Sequence, residues 1–117
     1  MPTLRDLVTV LQRRDGVDAV VVVGRDGLLI DGASAPKHDP DALAAIVPPI
    51  VTAAIELGTA CQSGAFATSV LEYERCAVVL SAISSEAFLV IVLRPEANLP
   101  ALLYELRRHR SQIAQLA

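Results

Sequence analysis

Leu4, Leu7, Val8 and Leu11 recur at the i, i+3, i+4, i+7 spacing of one helix face. Thr3 stands where an N-cap belongs, Asp6 falls in the first turn, and Gly16 marks the stop. The period then changes. Residues 19–24 read AVVVVG, a β-branched run, and a second apolar run begins at 28–30. Between them Arg25-Asp26-Gly27 carries the Asp-Gly pair of a tight hairpin, where glycine accepts the positive φ of the turn. Residues 32–40 (GASAPKHDP) read as a loop. Asp39 and Pro40 then suit the N-cap and first position of a long helix. Leu43, Ile46, Val47, Ile50, Val51, Ala54, Leu57 and Cys61 keep helical spacing as far as Gly64. Pro48 and Pro49 lie inside this run; each removes an amide donor and crowds the preceding turn, so a kink or break is expected there.

Three strands are predicted at 67–73, 76–83 and 87–93. The links Glu74-Arg75 and Ser84-Ser85-Glu86 are long enough only for antiparallel hairpins. Thr68, Val70 and Glu72 alternate with Ser69, Leu71 and Tyr73. The last run, AFLVIVL, is apolar on both faces, as a central strand covered on each side would be. Asn98 caps a closing amphipathic helix with Pro100 in its first turn and a stripe of Leu99, Leu102, Leu103, Leu106, Ile113 and Leu116. The order α-β-β-α-β-β-β-α describes an α+β domain, a five-stranded antiparallel sheet with helices on both faces.

At 117 residues one domain, 1–117, is the natural count, and a compact monomer of this mass exposes roughly 6,100 Å². Apolar residues make up 53% and charged residues 20%, which excludes intrinsic disorder. The net charge of −3 and aromatic content of 3% argue against nucleic acid as a partner, which calls for a basic footprint and stacking rings. Cys61 and Cys76 form neither a CxxC pair nor a disulfide framework, which points to a reducing cytoplasm. The N-terminal segment lacks the apolar region of a secretory signal.

Charge patterning changes the picture most. From residue 42 to 71 the only charged side chain is Glu56. A helix covering a small sheet should bury one stripe and wet the other, yet here the polar face is little more than Thr52, Glu56, Thr59 and Gln62. A membrane span of 42–60 is opposed by its prolines, alanines and lack of charged anchors. A fully internal helix would need more surrounding chain than 117 residues supply. Burial against a second copy of the chain fits best, because a two-fold contact lets one apolar face cover its twin. The residues expected at that interface are Ile46, Ile50, Val51, Ala54, Leu57, Gly58 and Cys61 on the helix. Thr68, Val70 and Glu72 join them on the following strand, read as an open edge.

The stretches GVDAVVVVGRDGLLIDGAS, DPDALAAIVPPIVTAAIELG and SVLEYERCAVVLSAISSEAFLVIVLRPEANLPALLYEL together resemble the Roadblock/dynein light chain family over nearly the whole chain. Single motifs are loose, chiefly the RDG hairpin and the ANL before the last helix; their order and spacing are the specific part. The resemblance implies a profilin-like sheet, dimers formed through the middle helix and the third strand, and a small Ras-like GTPase as partner. It also implies a GTPase-activating or scaffold role, with a structural adaptor subunit or a small-ligand sensor as alternatives. Pro48 and Pro49 depart from the continuous Ala-rich middle helix usual in the family, and Pro100 replaces the usual Gly.

No catalytic site, metal site or cofactor is expected. Cys61 and Cys76 read as buried structural thiols, and His38 and His109 lack partners at ligand spacing. Asp39 and Asp41 serve a helix start. No GxxxxGK[ST] loop is present, so the chain is not a nucleotide hydrolase of that class. Arg25 and Arg75 are candidate arginines for insertion into a partner's active site. Arg107, Arg108 and Arg110 form the one basic cluster and either flank a helix C-terminus or dock on an acidic partner surface.

Overall fold

The computed structural model describes residues 3–116; Met1, Pro2 and Ala117, which belong to the expected 1–117 domain, lie outside the described residues. The chain runs α1 (Leu4–Gln12), β1 (Val17–Gly24), β2 (Leu29–Ser34), α2 (Pro40–Ala60), β3 (Thr68–Glu72), β4 (Ala77–Ala82), β5 (Ala87–Leu93), α3 (Leu99–Arg108) and α4 (Arg110–Ala114). Every neighbouring pair of strands is antiparallel, in the order β2-β1-β5-β4-β3. β5, apolar on both faces, is the central strand, and β2 and β3 are the edges.

Local chemistry sets most boundaries. Thr3 and Asp6 form a reciprocal capping box at α1: the Asp6 amide donates to Thr3 Oγ1 (3.2 Å) and the Thr3 amide to Asp6 Oδ2 (2.9 Å). Gly27 takes φ +85° in the β1–β2 turn, where the Leu28 amide donates to Asp26 Oδ1. Asp39 caps α2 by accepting from the Asp41 amide, and Asn98 caps α3 through the Ala101 amide.

Alternation along β1 and β5 builds two cores. Val20, Val22, Leu89 and Ile91 face α1 and α3, joining Val8, Leu11, Leu102 and Leu106. Val21, Val23, Phe88 and Val90 face α2, joining Ala44, Val47 and Val51. That is the two-faced arrangement expected from the sequence.

Three expectations are corrected. Residues 32–34, read as loop, continue β2, because their backbone pairs with 19–21 of β1 and the Ala35 amide donates to the Asp18 carbonyl at 2.8 Å. The break at Pro48 and Pro49 does not occur: α2 is one helix of 21 residues. Proline's fixed φ is itself helical, so the helix continues at the cost of the donors that would serve the Ala44 and Ala45 carbonyls and of crowding by the rings against them. The Pro48 ring is also held against the hairpin, since a Cβ added to Gly27 would lie 3.1 Å from Pro48 Cγ. The single closing helix is instead two, parted at His109 (φ −105°, ψ 17°). The change of direction lets Ile113 reach the core and Arg110 reach β3.

Candidate interaction surface

α2 has the length and mean hydropathy (1.7) of a membrane-crossing helix, but it lies on the sheet, with Ala44, Val47 and Val51 buried beneath it. Its contacts run mainly to β1 and β2. Toward β3 that sheet face is covered less: Leu80 of β4 is buried under α2, whereas Val78 and Leu71 are half-buried and Tyr73 is exposed. Between that face and α2 runs a groove of about 240 Å³ lined by Leu43, Ile46, Val47 and Ile50 on one side and Leu71, Tyr73, Val78 and Leu80 on the other. No charged side chain lines it. Ile46 (57%), Leu57 (66%) and Tyr73 (61%) are among the exposed large hydrophobic side chains of the described residues. Beyond them β3 pairs only with β4, so its outer edge is open among the described residues.

Helical spacing places Ile46, Ile50, Ala54, Leu57 and Cys61 on the β3-facing side of α2. Two of the helix positions expected at the interface lie off that side of α2. Val51 is 5% exposed and belongs to the core beneath α2, one step around the helix from Ile50. Gly58 is turned into its own loop, where a Cβ would lie 3.5 Å from the Gly64 carbonyl and the Ser63 amide and hydroxyl both donate to the Gly58 carbonyl. The strand set stands on the open edge, but its side chains lie on the sheet face away from α2. Val70 packs against the α1/α3 core, and Thr68 Oγ1 is bonded to Ser81 Oγ (3.3 Å) and Arg110 Nη2 (3.2 Å). Glu72 shares their side of the pleat and is exposed. Leu71 and Tyr73, the alternate set, line the groove. The period-2 pattern contained both sets; which one faced α2 depended on the register with β4, where Leu71 sits opposite Val78.

Cys61, read as buried, is exposed at the C-cap of α2, where the helix has run past the sheet; Cys76 is half-buried. Among the described residues no cluster of His, Cys, Asp and Glu has the makings of a metal site.

The arginines do not converge. Arg25 stands beside the β4–β5 turn, donating from Nη1 to the Ser85 carbonyl (3.1 Å). Arg75 is exposed in the β3–β4 turn at the other end of the sheet. Arg107 and Arg108 are exposed on the last turn of α3, whereas Arg110 is committed to Thr68. His109 Nε2 lies 3.3 Å from Glu105 one turn earlier.

Sequence reasoning missed Asp18. Set in a valine-rich strand and 6% exposed, it meets Arg94 Nη1 through Oδ1. Through Oδ2 it meets Lys37 Nζ (3.1 Å), with His38 Nε2 at 3.7 Å. Burial pushes this carboxyl up, but the hydrogen bonds and charges of Lys37 and Arg94 outweigh it and hold the group below its ordinary range. Arg94 also pairs with Glu96 at 3.0 Å. The available signal was an acid inside an otherwise apolar strand.

A family model described as the Roadblock/LC7 domain matches residues 3–93. No curated protein matches the chain. Among solved structures, gliding protein MglB from Thermus thermophilus is 23% identical, with 97% of this chain and 87% of that one covered and a TM-score of 0.85. An MglB described in a tetrameric arrangement is 20% identical over 97% of this chain and 86% of that one, TM-score 0.83. A Roadblock/LC7 domain from Streptomyces avermitilis is 20% identical over 90% and 88%, TM-score 0.77. At such identities the likeness is one of fold.

Proposed function

The chain belongs to the Roadblock/LC7 family, and on that premise we propose that it is a homodimeric partner and regulator of a small Ras-like GTPase, acting as a single domain over 1–117. The observation that carries the reading is the uncovered apolar groove between α2 and β3. The chain exposes 7024 Å², about 900 Å² more than a compact monomer of its mass. A second copy covers that excess economically: each α2 lies against the other's groove, and the two β3 edges pair to join the sheets. The MglB of tetrameric arrangement, similar in fold, lends support to self-association.

The GTPase role rests on family membership and on the fold shared with MglB proteins. Regulation works by docking, which positions the partner's own switch segments and needs no catalytic residue here. Exposed Arg25, Arg75, Arg107 and Arg108 are the contacts offered to an acidic partner surface, with half-buried Arg110, one nitrogen of which donates to Thr68, beside them. The protein acts in the cytoplasm, with no cofactor and no membrane span.

Light scattering at micromolar concentration should give twice 12.4 kDa, and Leu57→Arg should give the monomer mass. Immobilised protein should retain a Ras-like GTPase from its source cell with GTP and lose it with GDP. A monomeric parent chain overturns the dimer. Capture into a large assembly without nucleotide dependence overturns the regulator in favour of an adaptor subunit.

A further inference from the structure

The residue that pairing between β1 and β5 skips is Asp18. Val17 is opposite Leu93 and Ala19 is opposite Val92, so Asp18 occupies a bulge. A bulge re-aims the side chain it carries. Here it directs a carboxylate out of the ladder and between two connections. One is 35–39, which delivers the chain from β2 into α2; the other is 94–98, which delivers it from β5 into α3.

Both connections are tied to this point by main chain as well as side chain. The Ala35 amide donates to the Asp18 carbonyl (2.8 Å) and the His38 amide to the Ala35 carbonyl (3.1 Å). The Ser34 hydroxyl donates to the His38 carbonyl (3.3 Å). On the other side the Arg94 amide donates to the Gly16 carbonyl (2.8 Å). Lys37 and Arg94 supply the charges, at 66% and 43% side-chain exposure. Each is open enough to be solvated by water, yet both turn to Asp18, whose buried carboxylate requires their charge. The next residue after His38 is Asp39, the α2 cap, and the following three turns carry Leu43, Ile46, Val47 and Ile50, one wall of the groove.

We propose that Asp18 is a positioning residue: it seats the start of α2 through Lys37 and the 35–39 connection, and so sets the wall of the groove that the second copy must fit. The second half of this inference rests on the self-association reading above; the first does not. One buried acceptor serves both connections, so the seat of α2 and the start of α3, on opposite faces of the sheet, depend on one side chain. An asparagine there keeps the shape and removes the charge that draws in both cations.

The test is Asp18→Asn in the full chain, followed by hydrogen–deuterium exchange and sedimentation. Pro36 and Pro40 carry no amide hydrogen, so the readout is the hydrogen-bonded amides of this stretch: those of His38 and Leu43 should exchange at least about tenfold faster while those of α1 and β4 keep parent rates, because opening is local to the connection. The dissociation constant of the dimer should rise at least about fivefold, with the far-UV circular dichroism unchanged. Lys37→Met should reproduce the exchange change at His38 and Leu43 and spare 94–101. Lys37→Arg, which keeps the cation, should restore parent behaviour. A uniform rise in exchange along the chain, or no change at His38 and Leu43, overturns the positioning role. Faster exchange at His38 and Leu43 with an unchanged dissociation constant overturns its link to the groove. If Asp18→Asn fails to fold, the two Lys37 variants decide the matter by the same criteria. A parent chain that is monomeric removes the self-association reading, while the exchange pattern still decides whether Asp18 seats α2.

Discussion

Leu57→Ala measures how much of the dimer rests on the β3-facing side of α2. Leu57 is 66% exposed in the single chain. The substitution removes three methylene-sized groups, each worth about 0.8 kcal/mol when fully buried. Scaled to the exposed fraction, that is about 1.5 kcal/mol per copy that a partner recovers by covering the residue. Two-fold symmetry counts the loss twice, about 3 kcal/mol, which raises the dissociation constant about 100-fold. The fold should be spared, since the exposed part of the side chain contributes little to its own core. The measurement is sedimentation equilibrium over a wide range of protein concentration, with a denaturation curve to confirm unchanged monomer stability. Ile55→Ala is the matched control. Ile55 is 43% exposed on the other side of the same helix, beside Arg25, Phe66 and Phe88. Its loss should leave the dissociation constant within about twofold. Equal effects at the two positions, or a Leu57→Ala constant within about threefold of the parent, would refute the assignment of the covered side.

Acid should act through Asp18. Its carboxyl is lowered in the folded chain relative to the unfolded one, so its contribution is fully present above an ordinary aspartate pKa near 3.9. That contribution is lost as pH falls through the lowered folded value; thermal scans from pH 7 to pH 2 should show a fall at the acid end that Asp18→Asn flattens. Gly16 and Gly64 share φ +87°, but a Cβ on Gly16 would lie 2.8 Å from the Ala97 Cα, whereas one on Gly64 meets nothing within 4 Å. Urea denaturation should therefore give about 1 kcal/mol of loss for Gly64→Ala and clearly more than about 2 kcal/mol for Gly16→Ala. Exposed Pro49→Ala restores a donor to the Ala45 carbonyl and should stabilise by about 1–3 kcal/mol. Pro48→Ala should gain less, because it also gives up the contact under Gly27. Equal gains in chemical denaturation would show that the Pro48–Gly27 contact is worth nothing.

Element types were legible wherever the deciding interaction was local. The Thr3–Asp6 box, the Asp-Gly turn and the Asp39 and Asn98 caps depend on residues within three positions of one another, and the period of apolar residues separated helix from strand. The charge-poor stretch 42–71 likewise announced, from composition alone, more apolar surface than a small domain hides. What lay beyond reach depended on partners distant in the chain. β2 reaches Ser34 because β1 offers it pairing, and α2 survives two prolines because packing beneath it outweighs two lost donors. Which alternate set of β3 lines the groove is a matter of register with β4, and a slip of one residue would exchange Leu71 for Val70. Asp18 gains its meaning only when residues 37 and 94 fold against it. Periodicity and capping are written in neighbouring residues, so the chain alone states them. Register, direction and charge pairing between distant segments exist only once the sheet has formed, and those decided where the open groove lies.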